Sequence, residues 1–122
     1  MRTMRKLLLM AGVVLTASAC NLTGPSESVT GNWAAIGPNP RGGSMGLILQ
    51  QNGDTVTGTA CALDFNFVIF KDVPVFGEHP EVSFNAPGGI QFRGRLDSTK
   101  DIAGEYGTFA IRFRRTDRNP CP

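Results

Sequence analysis

From Val29 onward, apolar and polar residues alternate with a period of two, the spacing of a strand with one buried face, not the 3.6 of a helix. Val29 to Ile36 forms a first run, ended by Gly37-Pro38-Asn39-Pro40. Ser44 to Gln51 places Met45, Leu47 and Leu49 on one face, and Thr55 to Ala62 returns with Val56, Gly58 and Ala60 facing the same way. Between them Asn52-Gly53 is the pair favoured in two-residue hairpin turns, where both positions need positive φ. Asp64 to Lys71 is apolar on both faces, which predicts a strand covered on each side. Val73 to Gly77 follows Asp72 as a short strand weakened by Pro74.

Glu81 to Asn85 points Val82 and Phe84 inward, and Pro87-Gly88-Gly89 turns the chain. Ile90 to Leu96 alternates Ile90 and Phe92 against Arg93 and Arg95. After the polar turn at 97–101, Ile102 to Tyr106 and Thr108 to Arg115 close the set, with Phe109, Ile111 and Phe113 opposite Arg112 and Arg114. About eight short strands with turn residues between them, and no helical pattern, predict an all-β antiparallel fold. Short sequential connections favour a meander, and closing it into an up-and-down barrel removes the exposed edges.

The first 28 residues follow a different pattern. Arg2, Arg5 and Lys6 precede the apolar run Leu7 to Leu15, and Thr16-Ala17-Ser18-Ala19 supplies small residues. Charge, short apolar run and small-residue cleavage site are the parts of a secretory signal, and the run is far below the roughly 18 residues that span a bilayer. Leu15-Thr16-Ala17-Ser18-Ala19-Cys20 resembles the lipobox of bacterial lipoproteins, although Ala17 stands where that pattern prefers Leu. The resemblance implies cleavage before Cys20, acylation of its thiol with fatty acids such as palmitate, and a membrane anchor in the cell envelope. The alternative is an ordinary secretory signal cut near Ala19, with Cys20 a plain thiol. Asn21, in place of the Asp that retains lipoproteins at the inner membrane of enteric bacteria, points to the outer membrane. Residues 1–19 are thus read as signal peptide, 20–28 as a lipidated tether broken by Gly24-Pro25, and 29–122 as the barrel domain.

This division changes the charge and the cysteine count. Three of the 12 Lys and Arg lie in the leader and none of the 10 Asp and Glu do, so the remainder carries 9 against 10, a net −1. A nucleic-acid partner loses its electrostatic support. With Cys20 acylated, Cys61 and Cys121 remain as one pair suited to an oxidising compartment. A disulfide closing that loop would contribute ~4 kcal/mol, less any strain. The other readings of the pair are two buried thiols or a two-ligand metal site.

Thr30-Gly31-Asn32-Trp33 resembles the Gly-x-Trp opening of the calycin barrels: lipocalins, fatty-acid-binding proteins, avidins and some bacterial protease inhibitors. Gly43-Ser44 and the turn at Asn52-Gly53 extend the similarity towards the avidins. The resemblance implies that a basic residue on the last strand, Arg112 or Arg114, lies across Trp33 at the closed end. It implies no biotin site, because avidin pockets have several tryptophans and this chain has one.

Catalytic residues, a metal site and a cofactor are not expected. His79 is the single histidine, and with Glu78 and Glu81 it reads as an exposed turn before Pro80. No serine stands in a Gly-x-Ser-x-Gly elbow, and neither Gly42-Gly43 nor Gly88-Gly89 opens a phosphate loop. Arg93, Arg95, Arg112, Arg114 and Arg115 read as a solvated face paired with Asp97, Asp101 and Glu105. The phenylalanines read as core filling the barrel. What is expected is a membrane-anchored, non-catalytic binding or structural module for an unknown envelope protein or a small apolar ligand. A protease-inhibitor-like calycin module and a small apolar ligand carrier are the alternatives.

Overall fold

The computed structural model describes residues 27–36, 44–64 and 67–122. The expected signal peptide at 1–19, Cys20, most of the expected tether at 20–28, residues 37–43 and Phe65 lie outside the described residues. Eight strands and no helix are present among those described: β1 (Gly31–Ile36), β2 (Ser44–Asn52), β3 (Thr55–Asp64), β4 (Phe67–Glu78), β5 (Glu81–Asn85), β6 (Gln91–Leu96), β7 (Ile102–Tyr106) and β8 (Phe109–Thr116). Each pairs antiparallel with its neighbour in sequence, and β1 pairs with β8 to close the barrel. Every strand edge is thereby used.

The β2–β3 hairpin has the expected faces, with Leu47 opposite Ala60 and Gln51 opposite Val56. Its turn is displaced by one residue. Asn52 pairs with Thr55, so the central residues are Gly53 and Asp54, of which Gly53 has φ +63° and Asp54 needs no positive φ. That is the requirement of the II′ class, where glycine at the first central position suffices.

β4 corrects the sequence reading more deeply. In place of the two strands expected at 64–71 and 73–77, the segment Phe67–Glu78 forms one strand, and Asp64 belongs to β3. Ala60 pairs with Val73 and Ala62 with Phe70, so Lys71 and Asp72 together stand opposite Cys61. Asp72, at φ +56°, is a β-bulge and not a strand end. A second register shift between Ala62 and Leu63 leaves Ile69 without a partner. The bulges turn Phe70, Val73 and Val75 into the core. They leave Phe67, Val68 and Ile69 exposed, where coverage of both faces was expected.

Trp33, Phe84, Phe92, Phe113, Leu47, Leu96 and Ile102 are completely buried inside the barrel. Phe92 stacks on Phe84 at 5.2 Å and meets Phe113 edge-on at 5.4 Å between ring centroids. An interior of eight strands is just wide enough for such side chains to fill.

Cys61 and Cys121 are joined by a disulfide with Cα atoms 5.7 Å apart, inside the usual span. The C-terminal tail leaves β8 and lies outside β2 and β3. Pro120 sits where a Cβ on Gly46 would come within 2.6 Å of it, so glycine at that position lets the tail pack flush.

Candidate functional site

The barrel has two unlike ends. At one lie the turns 53–54, 79–80 and 97–101, the start of β1 and the end of β8. Residues 27–30 cross this end and close it. Val29 is wholly buried; its carbonyl accepts a hydrogen bond from Trp33 Nε1 at 2.9 Å, and its N–H donates to Gln51 Oε1 at 2.9 Å. Gln51 N–H donates in turn to Thr30 Oγ1 at 2.9 Å. The His79 ring Nε2 lies 2.6 Å from the Glu27 carbonyl. The histidine is therefore part of this closure. No group of three metal-binding side chains occurs among the described residues.

A guanidinium does cover Trp33, but it belongs to Arg115, whose Cζ lies 4.4 Å from the ring centroid. The expectation for Arg112 or Arg114 is corrected by strand parity. Phe113 points into the barrel, and side chains two apart share a face, so Arg115 follows it inward while Arg112 and Arg114 point away. Arg115 also donates to the carbonyls of Thr30, at 2.7 Å, and Ser28, and pairs with Glu27 at 3.3 Å. A Cβ on Gly31 would lie 3.0 Å from the Arg115 guanidinium, so Gly31 leaves it room. Gly31, Trp33 and Arg115 thus form one unit: a gap, a ring and a cation over the ring.

Arg112 and Arg114 instead hold the 97–101 turn. Arg112 donates to Asp97 at 2.9 Å and to Asp101 at 3.3 Å, and Arg114 grips both Asp101 oxygens at 3.2 Å. Asp101 is almost fully buried. The hydrogen bond from the Thr99 hydroxyl, helped by Arg112 and by the N–H groups of Thr99 and Asp101, lowers the Asp97 carboxyl to about 2. Arg114, then Arg112, holds Asp101 below the ordinary carboxylate range against the opposing effect of burial.

The opposite end carries the 64–67, 85–91 and 106–109 connections. Here large apolar side chains face solvent: Phe67 is 75% exposed, Phe109 57%, Ile69 54%, Val68 48% and Ile90 41%. A Cβ on Gly107 would lie 3.3 Å from Ile90, which places Ile90 against the turn that leads to Phe109. Asp64, at the same end, has a buried Oδ1 with no hydrogen-bond partner among the described residues. Sequence periodicity missed this rim because it counts a phenylalanine as core wherever it falls in an alternating run.

A third feature lies on the side wall. Phe76, Ser83, Arg93 and Glu105 are register partners in one row across β4 to β7, and Glu81, Arg95 and Ala103 form the next row. Together with Gln91 they line an open groove of about 660 Å³.

No protein-family model, curated protein or solved structure matches this chain. The closed eight-stranded antiparallel barrel is consistent with a calycin-like barrel.

Proposed function

We propose that the chain is the precursor of an envelope lipoprotein, anchored through acylated Cys20, and that its barrel is a non-catalytic module presenting the apolar rim to a partner protein. The observation that carries this reading is polarity. Residue 27, the first described, enters at the closed end, and five of the six exposed large apolar side chains among the described residues lie at the other, the sixth being Phe76 on the side wall. An anchor on residue 20 therefore directs the rim away from the bilayer. Large apolar side chains left in water at one end of a small protein favour an interaction site there.

Two observations weigh against the alternative modules. The aromatic filling of the interior leaves little room for a carried apolar ligand. Residues 27 and 28, the described end of the segment 21–28 that would have to enter a protease in an inhibitor of that kind, are tied down by Arg115 and His79. The reading of the barrel as calycin-like is supported by Gly31, Trp33 and Arg115 acting together.

Metabolic labelling with palmitate tests the anchor. The wild type takes up label and sediments with membranes, and Cys20→Ala does neither. Membrane retention of Cys20→Ala, with no label on the wild type, would reject the lipoprotein reading. A photo-crosslinking residue at Phe109 tests the rim. It captures a discrete protein adduct in intact cells, and the same probe at Arg118 does not; equal adducts at both positions would reject the rim as the docking face.

A further inference from the structure

The arginines of β6 and β8 divide sharply by their partners. Arg112, Arg114 and Arg115 are each held by carboxylates. Arg93 and Arg95 form no salt bridge and no side-chain hydrogen bond among the described residues. Their freedom is unexpected, because Glu105 stands directly across from Arg93 and Glu81 directly across from Arg95. Opposite-charge pairs at such positions are within reach of each other. Here two guanidiniums and two carboxylates stand around a groove with their hydrogen-bonding groups unspent.

We propose that this side-wall groove binds an acidic polysaccharide, a polymer of sugar rings bearing carboxylates. Three features select that chemistry. Arg93 and Arg95 lie two residues apart on one strand face, about 7 Å, and each presents a planar fork that matches a carboxylate. Phe76, at one end of the row, is 48% exposed and offers a flat apolar surface to the C–H face of a sugar ring. Ser83, Gln91 and the two glutamates supply acceptors and donors for hydroxyls.

Charge excludes the simpler polyanions. Two arginines against two glutamates give the groove no net charge, so a ligand held only by neutralised phosphates gains little there. A ligand that combines carboxylates for the arginines with hydroxyls for the glutamates uses all four. The shape agrees: Ser83 and Ala103, both small, line the groove beside the arginines, and the row across four strands runs about 14 Å. Strand addition by a peptide is closed off, since the barrel has no free edge. The groove is separate from the apolar rim, so either proposal can fail alone.

Affinity electrophoresis of the full chain in detergent, through gels containing polygalacturonate, neutral dextran or polyphosphate, tests this. Polygalacturonate retards the wild type, and dextran and polyphosphate do not. Arg93→Ala with Arg95→Ala weakens retardation by about tenfold or more, the loss expected for charge-assisted hydrogen bonds. Lysine at both positions restores it only in part, because the fork is lost. Phe76→Ala also weakens binding, whereas Arg118→Ala leaves it unchanged. Arg93, Arg95 and Phe76 are exposed, so the variants keep the wild-type melting temperature. Absence of retardation by polygalacturonate, equal retardation by polyphosphate, or full binding by the double alanine variant would overturn the proposal.

Discussion

The closed and open ends of this barrel are built from the same alternating strands yet satisfy opposite rules. At the closed end, the Trp33 indole, the Gln51 amide, His79 and Arg115 all find partners in the segment 27–30. At the open end, phenylalanine and isoleucine face water and a buried Asp64 oxygen has no described partner. Stability is concentrated where the chain enters, and unsatisfied surface is concentrated where it turns back. Regions of a protein that bind are often drawn from its less stable parts. The contrast therefore separates what holds the barrel from what it offers.

The strongest way to break the contrast is to remove the ring at the closed end. Trp33→Ala should cost about 3–5 kcal/mol, as for other buried tryptophans. In a domain of this size the melting temperature, followed by circular dichroism, should fall by some tens of degrees. Arg115→Ala should cost less, within the ~0.5–2 kcal/mol of a cation–π contact plus its hydrogen bonds to the strap. A Trp33→Ala variant that melts with the wild type would remove the closed end as the anchor of the fold.

A smaller effect should come from acid. Asp97 and Asp101 both titrate lower in the folded protein than in an unfolded chain. Their contribution is therefore fully present above the ordinary carboxylate value of 3.8 and is lost as pH falls towards about 2, where Asp97 protonates. Denaturant midpoints measured from pH 5 to pH 2 should drop across that window. In Asp97→Asn the drop should be shallower; an identical slope would show that the 97–101 turn does not sense its arginines.

The smallest effect sharpens the contrast from the other side. Phe67→Ser and Phe109→Ser remove exposed rings, and surface changes of this kind stay within about ±0.5 kcal/mol. Their melting curves should overlay the wild type while partner capture is lost. Marked destabilisation would mean that the rim is core in disguise.

Much of this was legible in the residues, and the failures share a cause. Alternation gave the faces of β2 and β3, and Asn52-Gly53 located their turn to within one residue. Cysteine parity gave the 61–121 disulfide. Alternation also contained the answer for Arg115, which is in phase with Phe113; the error was to seek the covering cation in the opposite phase. β4 was less legible because a bulge and a strand end look alike in sequence: Asp72 beside Pro74 suits either. Once a bulge inserts, the phase of every residue beyond it changes, so Phe67 and Ile69 could not be assigned to water by counting. The groove at Arg93 and Arg95 had no signal of its own, since its cations are notable for the pairs they do not make.

Closing β1 against β8 also has a consequence for the order of events during folding. The Arg115 guanidinium reaches back across 85 residues to the Thr30 carbonyl. Contacts so distant in the chain close the longest loop and delay the rate-limiting search. Trp33 precedes Arg115 in the chain, so the ring that seals the barrel has no cation to cover it until β8 is in place. The hairpins from β2 to β7 need no such wait. A chain stopped short of β8 carries its largest apolar side chain without the strand and the cation that cover it.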